Sequence, residues 1–262
     1  MSTAREYIDS LTAHGEFAFT VTQFCDALAL TYKTGLKALA RLKHRKEITS
    51  PSKGYYLILP PEFRKQGCLP ADYFIDDLMR HLNKDYYVAL LSAALYHGAA
   101  HQQPQMFQVM IRDKKRPIRC GNIHVEFIKN LYCKKTPTQQ IKTRTGYMNL
   151  STPEATAMDM LKYLRQSGGI NRIVTVLDEL AESMSSNALS KLATESKEQA
   201  WVYRLGFLLD KQGHRALAQA LYESVNKKPV GIIPLIPYTT LTGAPRDKKW
   251  PIAINTTIES DL

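Results

Sequence analysis

The sequence lacks the short motifs by which several large enzyme classes hold phosphates or activate a nucleophile. It contains no GxxxxGK[ST], no GxGxxG and no GxSxG, so neither a phosphate-binding loop nor a nucleophile elbow is indicated. Cysteine is scarce, and none of the four (Cys25, Cys68, Cys120 and Cys133) stands in a CxxC spacing. Isolated thiols in a chain of this size favour a reducing compartment, where we expect most of them to be buried structural residues.

Long apolar runs are missing as well. No stretch approaches 18 consecutive apolar residues, and the opening MSTAREYIDS lacks the apolar segment of a secretory signal. We therefore expect neither a membrane span nor a signal peptide, and we predict a cytoplasmic protein.

Positive charge is what the chain has in excess. Its 262 residues include 35 Lys and Arg against 24 Asp and Glu, which gives a formal net charge of +11 and a pI of about 9.4. An excess of this size favours a polyanionic partner such as nucleic acid. Hydrophobic residues make up 44% of the chain, enough for buried cores, and the length is most naturally that of two domains.

The clearest local pattern lies in residues 20–59. Residues 21–28 predict a short helix, and Thr31 can cap a second helix that runs to about residue 46. The turn-rich tip SPSKG then leads into a strand at residues 55–59. A further helix at residues 3–13, ended by Gly15, precedes them. Helix, turn, basic helix and β-hairpin in this order are typical of a winged helix-turn-helix.

The second of these helices carries two contrasting faces. We expect an apolar inner face of Leu36, Leu39, Ala40 and Leu42. Basic residues at i, i+4, i+8 and i+11 form a stripe on the other side, namely Lys33, Lys37, Arg41 and His44. An ordinary amphipathic helix with a solvated face would show the same stripe, so the flanking helix and hairpin carry the assignment.

A helix that enters the major groove presents its first residues to base edges, while basic neighbours neutralise phosphates. The groove-facing DNA-binding residues that we predict are therefore Tyr32, Lys33, Thr34 and Lys37. Nearer the DNA backbone we expect Arg41, His44 and Lys53.

The remaining chain predicts an α+β protein of two domains. Residues 1–60 would be the winged helix-turn-helix, residues 61–70 a docked linker after Pro60-Pro61, and residues 71–262 a larger mixed α/β domain with a small sheet and several C-terminal helices. Residues 71–100 predict two helices broken near Asn83, the second of which would bury Val88, Leu91 and Leu95. Residues 102–150 change to a β pattern.

The last third of the chain has strong helix signals. Ser151-Thr152-Pro153-Glu154 combines a hydroxyl cap, a proline in the first turn and an acidic residue near the positive end of the helix. Further helices are predicted at residues 170–183, 187–193, 197–211 and 214–226, with Gly206 as a position of close contact. The proline-rich tail at residues 228–262 is too apolar for plain disorder, so we expect it to pack back as extended chain.

Much of the excess charge lies in the β region. Residues 102–150 contain ten Lys and Arg against Asp113 and Glu126, a net charge of +8. Solubilising loops would account for it, and a second nucleic-acid surface is the functional alternative. The residues of that surface would be Arg112, Lys114, Lys115, Arg116, Lys134, Lys135, Lys142 and Arg144.

Six segments carry a resemblance to a known family: ALARLKHRKEI, GYYLILP, DYYVALLSAALYHGAAHQQPQ, STPEATAMDML, YRLGFLLD and KKWPIAIN. The chain resembles the AbiEi antitoxins of type IV toxin–antitoxin and phage-defence (abortive infection) systems, over nearly its whole length. The third and fourth segments are the most distinctive. Family wings often carry more arginine than the tip SPSKG has here.

The resemblance implies an N-terminal winged helix and an α/β antitoxin domain. It implies repression of the protein's own operon through promoter inverted repeats, and neutralisation of a nucleotidyltransferase-type toxin. It leaves open whether the antitoxin touches that toxin. We expect a monomer in solution that binds paired operator sites cooperatively.

Three residue sets have some features of enzymatic or metal sites, but none forms a coherent active site. Glu126 and Lys129 are one residue too far apart for the carboxylate-x-Lys pattern of nucleases and fall on opposite faces of a strand. His97 and His101 share a helical face but lack a third zinc ligand. Asp159 is better explained by capping or interior pairing. We therefore expect no catalytic residue, metal or cofactor; the alternative is a nuclease-like enzyme with an unrecognised site in the basic α/β domain.

Overall fold

A computed structural model describes residues 3–100, 104–225 and 231–258. The chain divides into two compact units. One comprises residues 1–88, 105–135 and 139–150, and the other comprises residues 89–104, 136–138 and 151–262. Helices and sheets of mixed parallel and antiparallel pairing confirm the α+β class. The first unit holds more than residues 1–60, and the domain boundary at residue 60 with its linker at 61–70 stays a prediction.

The N-terminal part of the first unit, residues 3–59, is called the N-terminal module below. Three threonines start its helices, because the hydroxyls of Thr3, Thr20 and Thr31 each accept a hydrogen bond from a backbone N–H of the first turn. The predicted helices and hairpin are present. The elements are α1 (Ala4–Ala13), β1 (Ala18–Thr20), α2 (Val21–Ala27), α3 (Tyr32–His44), β2 (Ile48–Ser52) and β3 (Tyr55–Ile58).

The strand β1 was not predicted, because three residues are too few to show a strand period. It pairs antiparallel with β3, which gives a three-stranded sheet in the order β1-β3-β2. Phe19 on β1 packs in the core of the module, with its ring 5.6 Å from Tyr7 and 5.8 Å from Phe24. This aromatic cluster fixes α1 and α2 behind the helix that follows.

The first unit also contains α4 (Ile75–His81) and most of a six-stranded sheet with the order β6-β7-β5-β4-β9-β8. Adjacent strands are both parallel, as in β5 with β7, and antiparallel, as in β4 with β5. The strands are β4 (Tyr86–Val88), β5 (Phe107–Ile111), β6 (Ile118–Cys120), β7 (Ile123–Lys129), β8 (Thr138–Thr143) and β9 (Gly146–Ser151).

The prediction for residues 71–100 was partly wrong. Val88 does not lie in a helix but ends the fully buried strand β4. Leu90 has a φ of +53°, and this left-handed backbone conformation separates the strand from the helix that follows. Leu91 and Leu95 are only half-buried on that helix. An apolar run that continues from a short strand into a helix gives no signal of the change.

The second unit is mainly helical. Its elements are α5 (Leu90–Tyr96), α6 (Pro153–Lys162), α7 (Ile170–Ala181), α8 (Ser186–Glu195), α9 (Ala200–Lys211), α10 (Arg215–Ser224), β10 (Ile233–Pro234) and β11 (Ile252–Ala253). Thr152 caps α6 as predicted. The four later helices are confirmed, although the predicted end at residue 226 and the start of the tail lie outside the described residues.

The described part of the tail packs as predicted. Trp250 is fully buried against Gly206, where an added Cβ would overlap its ring. The indole Nε1 of Trp250 donates to Asp210 Oδ2 over 3.1 Å. Gly206 is therefore a contact position rather than a helix breaker. In residues 3–100, 104–225 and 231–258, no helix is long and apolar enough to cross a membrane.

Candidate nucleic-acid interface

The turn between α2 and α3 places α3 tightly on the core of the N-terminal module. Ala29 takes a φ of +49°, and the N–H of Leu30 donates to Cys25 O over 2.9 Å. Gly35 lies directly over the Cys25 thiol, so any side chain there would collide with the sulfur. The first turn of α3 is thus held rigidly at the surface.

The α3 helix shows a clean division of faces. Gly35, Leu39 and Leu42 are buried, and the predicted basic residues Lys33, Lys37, Arg41 and His44 are all exposed. These four residues are called the α3 stripe below. The predicted inner face was wrong for Leu36 and Ala40, which are exposed. At 100° per residue, Leu36 lies about 120° and Ala40 about 160° around the helix from Leu42, and therefore outside the face that Gly35, Leu39 and Leu42 bury.

Two apolar side chains therefore border the α3 stripe. Tyr32 is 58% exposed and Leu36 is 39% exposed. The hydroxyl of Thr34 lies 2.9 Å from that of the capping Thr31, so it is shared between the helix cap and the surface. The sequence analysis did not predict Leu36 as a surface residue. The only indication of its exposure was its position one helical turn after Tyr32.

The hairpin supplies the last predicted contact. Lys53 is exposed at the tip between β2 and β3, and Gly54 beside it has a φ of +76°. The carbonyl of Gly54 accepts from the N–H of Val21, the first residue of α2, over 3.0 Å. This bond ties the tip of the hairpin to the helix pair.

The α3 stripe has no acidic neighbour on its own helix, because α3 contains no Asp or Glu. Among the ion pairs of the described residues, none involves Lys33, Lys37 or Arg41. Three further exposed cations, Lys43, Arg45 and Lys46, extend the basic surface at the C-terminal end of the helix. The run RLKHRK in the sequence was the signal for them.

The sheet gathers the second predicted set at one of its ends. Because β5 and β7 are parallel, Ile111 and Lys129 end side by side. The antiparallel β4 begins there, with Tyr86 opposite Ile111, and β9 is parallel to β4. The loops after β5 and β7 and the β8–β9 turn therefore meet at the same end. The sheet-end surface, as we name it, consists of Arg112, Lys114, Lys115, Arg116, Lys134, Lys135, Lys142 and Arg144.

Several of these cations already have partners. Lys134 pairs with Asp85 over 3.1 Å, and the adjacent Asp113 pairs with Lys84 over 2.8 Å. Lys115 lies over the Phe127 ring at 5.4 Å, where burial lowers the pKa of its ammonium. Arg144 lies over the Tyr73 ring at 5.8 Å, and a hydrogen bond to Tyr73 raises the pKa of its guanidinium. Arg112, Lys114, Arg116, Lys135 and Lys142 form no ion pair within the described ranges.

An acid-lined cavity of about 540 Å³ opens between the N-terminal module, α4 and the start of β9. Two of its carboxylates, Asp76 and Asp77, accept hydrogen bonds. Tyr55 Oη donates to Asp77 over 3.0 Å, Tyr86 Oη donates to Asp76 over 2.8 Å, and Arg80 pairs with Asp76. Burial first, and then these carboxylates, raise the pKa of both tyrosines. The network anchors β3 to α4, and its negative charge makes the cavity unsuited to a polyanion.

The candidate enzymatic residues are separated in the structure. His97 caps the C-terminus of α5, its Nε2 is 2.8 Å from Ser151 O, and burial lowers its pKa. His101 lies outside the described residues. Glu126 and Lys129 are three residues apart on β7, and Asp159 is fully buried in α6. Within the described part of the chain, no three His, Cys, Asp or Glu residues are grouped to hold a metal ion.

Comparison with known proteins identifies one part of this architecture. Residues 87–211 match the AbiEi antitoxin C-terminal domain. The crystal structure of the RV2827C protein from Mycobacterium tuberculosis is similar over 95% of this chain and 90% of that one, with a TM-score of 0.68 at 17% identity. At that identity the likeness shows a shared fold. No curated protein matches the sequence. Residues 87–211 of this chain therefore carry the AbiEi antitoxin C-terminal domain.

Proposed function

We propose that this antitoxin represses its own operon by binding promoter inverted repeats through the N-terminal module, and that it neutralises a nucleotidyltransferase-type toxin. The module would act as a winged helix-turn-helix. Paired repeats would bind two copies of the monomer cooperatively. The toxin class follows from the AbiEi antitoxin domain at residues 87–211, and the operator function rests on the geometry of α3.

The observation that carries operator binding is the exposed, acid-free α3 stripe on a helix seated rigidly by a preceding helix and turn. From Lys33 to His44 the stripe is about 16 Å long at 1.5 Å per residue. An α-helix with its side chains is about 10–12 Å across, which fits the major groove of B-DNA, about 12 Å wide. Lys37 and Arg41 would then neutralise phosphates at the groove wall, while Tyr32 and Leu36 lie at the level of the base edges.

The exposed apolar residues give the interface a means of reading sequence. Lysine contacts with phosphates carry no sequence information, whereas an apolar side chain in the groove discriminates the methyl group of thymine. Tyr32, Leu36 and Ala40 offer such contacts beside the cations. Lys53 at the hairpin tip would reach a phosphate on the flanking backbone.

The sheet-end surface would add contacts to nucleic acid that do not depend on sequence. It belongs to the same compact unit as the N-terminal module. Its unpaired cations lie mostly on loops, which suits a diffuse attraction to phosphates rather than readout of bases.

The direct test is a mobility-shift titration of the full chain on its upstream region, with unrelated DNA as competitor. We expect two cooperative shifted species that survive the competitor. Lys33→Ala/Lys37→Ala should abolish both species, and Lys191→Ala/Lys197→Ala should leave them intact. The control pair removes the same charge from exposed positions outside the N-terminal module. The proposal would be contradicted by a diffuse shift that the competitor abolishes and that both double variants weaken equally.

Antitoxicity requires a separate assay, in which the chain is co-expressed with the neighbouring toxin gene. We expect Lys33→Ala/Lys37→Ala to keep full protection when expression is driven from an unrelated promoter, because the matched antitoxin domain begins at residue 87. Loss of protection in that variant would show that DNA binding and antitoxicity are one activity.

A further inference from the structure

Two of the four cysteines face each other inside the first unit. The side chains of Cys68 and Cys120 are hydrogen-bonded to one another. Cys68 is fully buried and Cys120 nearly so. Cys120 ends β6, whereas Cys68 lies in the segment that follows the N-terminal module. Nothing in the proposed antitoxin function uses either thiol.

The backbone explains why the two thiols meet. Two turns meet there, and Asn122 N donates to Gln66 O over 2.9 Å. One step along, Gly67 and Gly121 touch so closely that a Cβ on Gly67 would lie 3.2 Å from Gly121 Cα. The next step sets Cys68 opposite Cys120. Cys120 Sγ lies 4.0 Å from Gly67 O, the carbonyl oxygen of the residue before Cys68.

The surroundings of the pair make the two sulfurs unequal. Cys120 Sγ lies 3.1 Å from Thr49 Oγ1 on β2. Hydrogen bonds from Cys68 and Thr49, with the charge of Lys43, lower the pKa of Cys120 to about 7. The hydrogen bond to Cys120 and burial raise the pKa of Cys68. Cys120 is therefore the thiol that ionises first and attacks.

We propose that Cys68 and Cys120 form a reversible intramolecular disulfide when the protein meets a peroxide-class oxidant. The Cys120 thiolate attacks one peroxide oxygen, the O–O bond breaks, and Cys120 becomes a sulfenic acid as hydroxide leaves and is protonated. The Cys68 sulfur then attacks the sulfenic sulfur, the S–O bond breaks, and the departing hydroxide takes the Cys68 proton. Two thiols lose two electrons, and hydrogen peroxide is reduced to two water molecules.

The remaining cysteines provide an internal control. Cys25 Sγ donates to Thr31 O at 4.0 Å, and Cys133 Sγ donates to Met110 O at 3.7 Å. Both are buried like the proposed pair. If burial alone controlled oxidation, all four thiols would react alike. The proposal instead expects oxidation of Cys68 and Cys120 only.

The experiment counts thiols in the full chain before and after hydrogen peroxide, with alkylation in denaturant before a tryptic digest without reductant. We expect four free thiols to fall to two and to return to four with dithiothreitol. The digest should link peptide 66–80 to peptide 120–129, because trypsin cuts after Lys65, Arg80, Arg119 and Lys129. The linked species should be two hydrogens lighter than its parts.

Matched variants separate the site from general oxidation. Cys68→Ser and Cys120→Ser should each lose the linked peptide, and Cys25→Ser and Cys133→Ser should keep it. If a variant does not fold, the wild-type peptide map decides by itself, supported by a higher urea midpoint for the oxidised than for the reduced protein. Retention of four thiols in peroxide, oxidation of Cys120 without a bond to Cys68, or a link to Cys25 or Cys133 would overturn the proposal.

Discussion

The α3 stripe and the sheet-end surface are both strongly basic, but they differ in what holds and surrounds their charges. Lys33, Lys37 and Arg41 project in one row from a helix whose opposite face is buried, and no acidic residue shares that helix. The sheet-end cations come mostly from loops, and acidic partners lie among them, with Asp85 against Lys134 and Asp113 against Lys84. Judged by net charge alone, the sheet-end surface would be expected to bind nucleic acid at least as strongly as the α3 stripe.

The difference shows that the arrangement of cations matters as much as their number. A paired carboxylate offsets much of the attraction of its lysine for a phosphate. A loop side chain also loses conformational freedom when it is fixed on DNA, whereas the backbone of α3 is ordered in advance. We therefore expect α3 to contribute most of the affinity for operator DNA, with the sheet end as a secondary contact.

Charge reversal on α3 is the strongest test of this difference between the two surfaces. Lys33→Glu/Lys37→Glu should lower operator affinity by more than 100-fold, since each lost phosphate contact costs about eightfold at 0.1 M salt and the new charges repel. Titration over a range of salt concentrations checks the result. The circular dichroism spectrum should be unchanged, because both side chains are exposed. A loss of less than tenfold would remove α3 from the interface.

The sheet end should respond more weakly. Lys114→Ala/Lys135→Ala removes two cations without ion pairs, and we expect about a tenfold loss on operator and unrelated DNA alike, with the salt slope reduced by about 1. Lys134→Ala should have a smaller effect than Lys135→Ala, because Asp85 already occupies the Lys134 ammonium. Equal effects of these two neighbours, or a loss confined to operator DNA, would contradict a diffuse phosphate contact.

Local signals in the sequence were enough to predict the helices that position α3. Thr31 caps α3 as expected, and the spacing of Lys33 and Lys37 predicted the exposed face. The strands β1 and β4 were missed because each has only three residues. Leu36 was placed on the wrong face because an apolar residue was taken as buried, whereas the small Gly35 fills that position.

Contacts between distant segments could not be predicted. Neither the pairing of Lys134 with Asp85 nor the approach of Cys68 to Cys120 has a local sequence signal, because each depends on how strands are ordered in the sheet. Sequence therefore gave the number of cations at the sheet end but not how many of them are already paired. The cysteines also lie far apart along the chain, although Cys68 and Cys120 are neighbours in the folded protein.

A smaller effect should separate sequence readout from charge on α3 itself. Tyr32→Ala leaves the α3 stripe intact and removes an exposed ring at the start of the helix. We expect operator affinity to fall by about 1 kcal/mol, roughly fivefold, and affinity for unrelated DNA to stay the same. Competition between the two DNAs measures the ratio directly. An equal loss on both would place Tyr32 against the DNA backbone instead of a base.

The smallest expected effect tests the acidic residues at the sheet end. Asp113→Asn leaves Lys84 without its 2.8 Å partner and adds one unit of positive charge to the surface. If ion pairs are what weakens the sheet end, affinity for unrelated DNA should rise by about twofold to threefold, with the salt slope increased by less than 1. Stability should change little, because this ion pair is exposed and screened by solvent. Glu195→Gln removes one negative charge from an exposed position on α8, outside both basic surfaces, and provides the control for added charge. A rise with Glu195→Gln that equals the rise with Asp113→Asn would mean that net charge, rather than local pairing, sets the attraction of this protein for nucleic acid.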